Sequence, residues 1–318
     1  MTLPRPGATA WPVTLIVFPG GFNWPVWVAT DRGLFSQRGL AVNVVETPGS
    51  VFQWTSLANG ESQIAITLMD NVVAYREGQG QPGIVVEDAV ALMALDTRAM
   101  PALVTTPDVR TYADLRGRTL AVDALLTGNA LVLMGMLERG GLRRDEYRLE
   151  QAGGVIRRFD AIQRGEYAGS LFNSPFQGLL QRLGFNTLDT ATSLLSHFQG
   201  HVVAARKGWA DANRPLVTGF LRAIADALEW LYHPENRLDA FAIYSDHMAG
   251  EGVSAAGTAY SVLFDPLTGF PKDGALDAQG IEQVLELRAR YGEPRKALGD
   301  AHAYSDAGFL AEAIGNER

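Results

Sequence analysis

The sequence predicts an α/β protein built as two lobes of related wiring. Three observations carry that reading: a short module that occurs twice, strand-like and helix-like segments that alternate along the chain, and a composition able to bury two cores. The first copy of the module runs Ser56-Leu57-Ala58-Asn59-Gly60-Glu61 into the apolar Ile64-Ala65-Ile66 and then Met69-Asp70-Asn71. The second runs Ala161-Ile162-Gln163-Arg164-Gly165-Glu166 into Ala168-Gly169-Ser170-Leu171 and then Phe172-Asn173-Ser174. In each copy a helix stops at a glycine, a buried strand follows, and a polar residue stands where that strand opens into the next helix. Lobes whose strand ends and helix N-termini present polar groups are the parts from which a small-molecule cleft is made.

With 318 residues the chain exceeds one ordinary domain, and 47% apolar against 19% charged residues can bury a substantial core. A net charge of -8, with no dense Lys/Arg run, argues against nucleic acid as a partner. No apolar run approaches the roughly eighteen residues needed to span a bilayer, because Pro19, Gly20, Gly21, Asn23 and Pro25 interrupt the most hydrophobic early stretch. The absence of cysteine excludes disulfides, Cys-ligated metal and thiol nucleophiles, and is compatible with an oxidising or a reducing compartment. Met1 to Trp11 holds one cation, Arg5, and no continuous apolar h-region. Location therefore has two readings: periplasmic if a leader has been removed, cytoplasmic otherwise.

Val13 to Phe18 reads as a buried strand, followed by a turn at Gly20-Gly21-Phe22-Asn23 and a helix from Trp24-Pro25, where proline suits the first helical position. Leu40 to Val45 is the next strand, Pro48-Gly49-Ser50 breaks it, and a helix covers Val51 to Asn59. After Ile64 to Thr67 and a helix beyond Asp70, the apolar Ile84 to Leu95 leads through Asp96-Thr97-Arg98 to a strand at Leu103 to Thr105, taken as the first crossover. The second lobe continues with strands at Thr119 to Val122 and Arg148 to Gln151 and helices at Gly128 to Arg139 and Ile156 to Arg164. Val202 to Ala205 is the return strand, and amphipathic Pro215 to Leu231 opens a helical C-terminal third with Leu238 to Tyr244, Val253 to Leu263 and Ile281 to Tyr291. The expected lobes are 1–99, to which 206–318 returns, and 100–205.

Several segments then resemble a known family, the periplasmic solute-binding proteins of the nitrate, sulfonate, taurine and thiamine-precursor (SsuA/THI5-like) ABC importers. Ala29-Thr30-Asp31-Arg32-Gly33-Leu34-Phe35-Ser36-Gln37-Arg38-Gly39-Leu40 with Val42 is similar to its first helix and second strand. Leu57-Ala58-Asn59-Gly60-Glu61 with Ile64-Ala65 is similar to its third unit, and Asp114-Leu115-Arg116-Gly117-Arg118 with Ala121-Val122 to the entry of its second lobe. The resemblance covers 13–205 and implies a type II periplasmic-binding-protein-like fold, two lobes on a two-strand hinge, a ligand in the cleft and a membrane permease as partner. The missing signal peptide departs from the family pattern.

Ligands in open α/β sheets lie beyond the carboxyl ends of strands, which nominates Phe22, Asn23 and Trp24; Ser50 and Val51; Met69, Asp70 and Asn71; Asp96 and Thr97; Thr127, Gly128 and Asn129; and Phe172, Asn173 and Ser174. Asp123 follows a strand in the same way. Thr127-Gly128-Asn129 opens a helix whose free N–H groups either bind a carboxylate or sulfonate or are merely capped. Asp70 and Asp96 are either acceptors for a ligand N–H, or a helix cap and a hinge brace. Phe22 and Trp24 either stack on a flat ligand or pack the core. With Arg98 the only obvious nearby cation, the set points to a planar hydrogen-bonding heterocycle or aromatic acid. His197 and His201 have metal-pair spacing, but Gly200 and the β-branched residues after it indicate a strand approach. No catalytic residue, metal or cofactor is assigned.

The function expected is a monomeric solute-binding protein that closes on a small aromatic or heterocyclic molecule, carboxylate- or sulfonate-bearing, for delivery to an ABC importer. The alternative is a cytoplasmic decarboxylase, lyase or pyrimidine-related enzyme on the same fold, using Asp70, Asp96 and His197 or His201 in acid/base work.

Overall fold

The computed structural model describes residues 10–96, 100–173, 175–248, 252–265 and 269–315, the side chains of 252–254 excepted. The first lobe begins β1 (Trp11–Val17), α1 (Trp24–Asp31), α2 (Leu34–Gln37), β2 (Leu40–Glu46), α3 (Ser50–Asn59), β3 (Ile64–Leu68), α4 (Met69–Arg76) and β4 (Ala89–Ala94). The second comprises β5 (Ala102–Thr105), β6 (Thr119–Val122), α5 (Gly128–Arg139), β7 (Arg148–Gln151), α6 (Val155–Gln163), β8 (Gly169–Phe172), α7 (Phe176–Arg182) and β9 (Asn186–Thr190). The chain then forms β10 (His201–Arg206), α8 (Lys207–Ala212), α9 (Arg214–Tyr232), α10 (Arg237–His247), α11 (Gly252–Leu263), α12 (Ala278–Tyr291) and α13 (Gly308–Gly315). Tyr112–Leu115, closed by a reciprocal Thr111/Asp114 capping box, is a 3-10 turn.

The repeated module occupies equivalent places in two sheets of equivalent order. One sheet runs β2-β1-β3-β10-β4 and the other β7-β6-β8-β5-β9. In one, the module's strand β3 lies parallel to β1 and antiparallel to β10; in the other, β8 lies parallel to β6 and antiparallel to β5. Gly60 and Gly165, which end the helices of the two copies, have φ of 74° and 73°. A side chain at either would meet left-handed backbone strain rather than a clash, since nothing lies within 4 Å of an added Cβ.

Two boundaries differ from the sequence reading. β10 begins at His201 and pairs with β3 and β4, so the chain re-enters the first lobe ahead of 201 rather than at 206. Its Val202-Val203-Ala204-Ala205 run is buried on both faces, which only a central slot provides. Among the C-terminal helices, α12 does not return to the first lobe alone; it packs on α4 and also on α5 of the second.

The core explains this. α1, α9, α10 and α13 close one side of the first sheet with Trp24, Phe220, Ile224, Tyr244 and Phe309. Each fully buried large apolar side chain of this kind contributes about 1.5–3 kcal/mol. A second cluster runs unbroken from Val72 of α4 through Val284 of α12 and Leu133 of α5 to Leu120 of β6. α12 is therefore shared core between the lobes, and its apolar periodicity alone does not say which lobe it serves.

Candidate functional site

A cavity lies between the lobes. The first lobe supplies Phe18, Pro19, Gly20 and Phe22 from the β1–α1 connection, Leu68 and Asn71 at the β3–α4 junction, and His201 at the start of β10. The second supplies Asp123, Thr127 and Asn129 from the β6–α5 connection, Gly154, Val155 and Arg158 at the head of α6, and Leu171, Asn173 and Phe176 around the β8–α7 junction. Every one of these lies at a strand end or at the helix start that follows it. Asn71 and Asn173, one from each copy of the module, face the same space.

Arg158 is the strongest charge in the cavity. It is buried at 4% exposure, its Nε donates to Gly153 O at 3.1 Å, and its Nη1 donates to Ser170 Oγ at 2.9 Å and Leu171 O at 2.7 Å. These bonds hold the guanidinium still while Nη2 is bonded to no described group and no carboxylate is ion-paired with it. Burial pushes its pKa below the usual guanidinium range, with the Asp123 carboxylate pulling the other way. A desolvated, pre-oriented cation is a good anion receptor, because the cost of stripping its water is already met in folding.

The opposite wall carries a histidine held by a carboxylate. Asp96 Oδ2 lies 2.5 Å from His201 Nδ1 and accepts from the His201 backbone N–H at 3.1 Å. The His201 ring stacks on Phe22 with centroids 3.7 Å apart and planes 13° from parallel. With Nδ1 committed to Asp96, Nε2 is the nitrogen left for the cavity. Asn71 donates through Nδ2 to Thr67 Oγ1 at 3.0 Å, and its Oδ1 is buried without a partner. The Asn173 Oδ1 is also buried and unpartnered. Such acceptors cost free energy until a donor reaches them.

Of the residues nominated by sequence, Phe22, Asn71, Thr127, Asn129 and Asn173 line the cavity. Val51 lines a neighbouring hollow that shares Asn71 and Thr127 with it. The others are placed elsewhere. Trp24 is fully buried, donates Nε1–H to Ala240 O at 3.2 Å and packs on Tyr244, so it belongs to the core. Asn23 is buried and ties its Nδ2 to Phe18 O at 2.7 Å, shaping the loop rather than meeting the cavity. Ser50, Met69 and Phe172 are buried behind the lining.

Asp70 caps no helix; Arg288 of α12 takes both its oxygens, Nε at 2.8 Å and Nη2 at 2.6 Å. Gly128 is the space-saver opposite, since a Cβ there would lie 2.5 Å from Asp70 Cβ. Asp96 acts as the brace, fixing His201 and accepting from Gln199 Nε2 at 2.8 Å through its carbonyl. Thr97 and Ser174, with Arg98, lie outside the described residues. His197 bonds Asp277 Oδ2 at 3.1 Å, away from His201, as the strand reading of that pair expects.

Sequence reasoning missed Arg158, and it weighed His201 only as half of a metal pair or as an acid/base group. Arg158 shares a helix face with Ala161 and Ile162, at i+3 and i+4, both of them buried. A charge on the apolar face of a helix is the signal that marks it.

The comparisons agree with this architecture. A family profile described as NMT1/THI5 like matches residues 23–237, more than half of the chain. No curated protein matches the sequence. The periplasmic nitrate-binding protein NrtA from Synechocystis PCC 6803 superposes with a TM-score of 0.83 at 13% identity, over 97% of this chain and 89% of that one. A protein from Bordetella bronchiseptica RB50 gives 0.81 at 17% identity, over 96% and 97%. The alkanesulfonate-binding protein SsuA from Xanthomonas axonopodis pv. citri, bound to MOPS, gives 0.72 at 15% identity, over 96% and 99%. With the periplasmic-binding-protein fold and this profile match, the chain belongs to the NMT1/THI5-like family.

Proposed function

We propose that the protein is the solute receptor of an ABC importer, acting as a monomer in the periplasm, whose lobes close on a small organic anion with a flat or apolar body. The observation that carries this reading is Arg158, a buried guanidinium without a carboxylate partner in an inter-lobe cavity walled by Phe18, Phe22 and Phe176. Carboxylate and sulfonate suit the fork of a guanidinium, and aromatic walls add about 0.5–1.5 kcal/mol per ring contact beyond buried area. A ligand touching both lobes favours the closed arrangement by the difference in contacts it makes there. Family membership, and neighbours whose names describe nitrate and alkanesulfonate binding, support a transport role.

The test is a thermal-shift series of pyrimidines, sulfonates and aromatic acids, followed by calorimetry on the wild type and Arg158→Lys. An aromatic carboxylate or sulfonate should raise Tm, and the variant should bind it more weakly. Stabilisation by none of the three classes would overturn the proposal.

The Asp96–His201 pair favours one second reading, an enzyme acting on an aromatic acid, because a carboxylate that fixes one ring nitrogen leaves the other as general base. Turnover of a bound acid that disappears in His201→Gln would select that reading. Binding without turnover selects the receptor.

A further inference from the structure

Arg158 is not the only uncompensated charge in the cavity. Asp123, immediately after β6, lines the same space and is 7% exposed. Among the described residues its carboxylate receives no hydrogen bond and no ion pair; only its backbone oxygen is used, by the Gly153 N–H at 3.3 Å. Gly49 beside it has no side chain to offer, and an added Cβ there would stand 3.2 Å from Asp123 Oδ1. Two opposite charges, each more than nine-tenths buried, thus face one cavity without pairing with each other. Buried charges left apart cost far more than a pair, so the arrangement is stable chiefly when something carrying both signs lies between them.

We propose that Asp123 receives a cationic nitrogen of the ligand whose anionic group Arg158 holds, so that this receptor selects zwitterions and rejects plain anions of the same shape. This rests on the anion reading of Arg158 and adds to it. A plain anion satisfies Arg158 but drives a second negative charge toward Asp123, where repulsion is little screened. A protonated amine or amidine-like nitrogen turns that repulsion into a charge-assisted hydrogen bond. Selection against plain anions separates this chain from the neighbour described as nitrate-binding.

The experiment uses matched probes: 4-(aminomethyl)benzoate against 4-methylbenzoate, and 2-aminoethanesulfonate against propanesulfonate. Calorimetry on the full chain should give the aminated member of at least one pair an affinity about tenfold or more above its partner. Asp123→Asn, nearly isosteric, should abolish that preference and improve binding of the plain member, whereas Asp123→Glu should retain the preference. Equal or tighter binding of the plain members by the wild type, no binding of either aminated probe, or a preference that survives Asp123→Asn would overturn the proposal. Plain anions that bind the wild type as tightly as their aminated partners and are lost in Arg158→Lys would sink this inference alone and leave the anion receptor standing.

Discussion

Closure can be tested without any ligand at Gly154. This residue caps α6 at φ −60° and ψ 172°, a conformation open to any amino acid, so alanine brings no backbone strain. Its N–H donates across the gap to Pro48 O of the first lobe at 3.2 Å. A Cβ added there would lie 2.8 Å from that same oxygen, and a backbone carbonyl cannot swing aside as a long side chain can. Gly154→Ala must either push the lobes apart or distort both loops. Losing the hydrogen bond costs about 0.5–1.5 kcal/mol and overpacking about 1–3 kcal/mol. Taking about 2 kcal/mol for the closed arrangement alone, the closed-to-open ratio falls roughly thirtyfold.

The chain has no cysteine, so nitroxides at Glu61→Cys and Glu166→Cys, exposed positions in the two copies of the module, report inter-lobe distance cleanly. The expected result is a shift of the distance distribution to longer values in Gly154→Ala, with Tm little changed because the open form relieves the contact. An unchanged distribution would show that this contact does not limit closure. A fall in Tm without a shift would make Gly154 a structural position within its own lobe and refute the reasoning.

Gly60→Ala should behave in the opposite way, losing about 1–2 kcal/mol of stability to its left-handed backbone and leaving the nitroxide distances unchanged. Asp70→Asn leaves Arg288, fully buried, without its carboxylate, so urea denaturation should show a loss of about 3–5 kcal/mol, and a ligand role for Asp70 would instead appear as lost affinity at unchanged stability. Trp24→Ala should cost about 3–5 kcal/mol as a core truncation, while Asn129→Ala should fold normally and weaken ligand binding in calorimetry. Burial pushes Tyr291, and a hydrogen bond to Glu138 pushes it further, to about 12. Because that folded value lies above the unfolded one, the stability from this clasp is complete below the unfolded pKa near 10 and is lost as pH rises toward 12. Tyrosinate absorbance and denaturation midpoints should change together across that window.

The fold was legible because its signals are local. The glycines at 60 and 165, the apolar runs at Ile64 and Gly169, and the Pro25 helix start each act within a few residues, and the sheets place them as that reading expects. The site was only half legible, because strand ends say where a cleft lies and not which side chains turn into it. Trp24 and Phe22 stand two residues apart with the same chemistry, yet one is walled in by Tyr244 of α10 and Phe264 just after α11 and the other meets the cavity. Asp70 was misread because its partner, Arg288, comes from a helix far along the chain, and no local pattern announces that pairing. Polar residues change role with what is packed against them, and packing is the part of the fold that sequence periodicity constrains least.

The strand order adds a mechanical consequence. β5 enters the second sheet directly after the first crossover and β10 enters the first sheet directly after the return, and both run antiparallel to the module strand beside them. Each lobe therefore owes one interior strand to chain that has just left the other, so neither sheet can be completed alone and the joint cannot be a slack tether. The chain passes from one sheet to the other twice, between Ala94 and Ala102 and between Thr190 and His201. His201 sits at the end of the second link and Asp96 inside the first, and their hydrogen bond staples the two together. Rotation at the joint must turn the His201 ring, with Phe22 stacked on it, relative to Arg158 across the cavity. Ligand contact and hinge angle are thus coupled through one dyad: His201→Ala, by cutting the staple, should broaden the nitroxide distance distribution even when no ligand is bound, and a distribution as narrow as the wild type's would show that the links are held by something else.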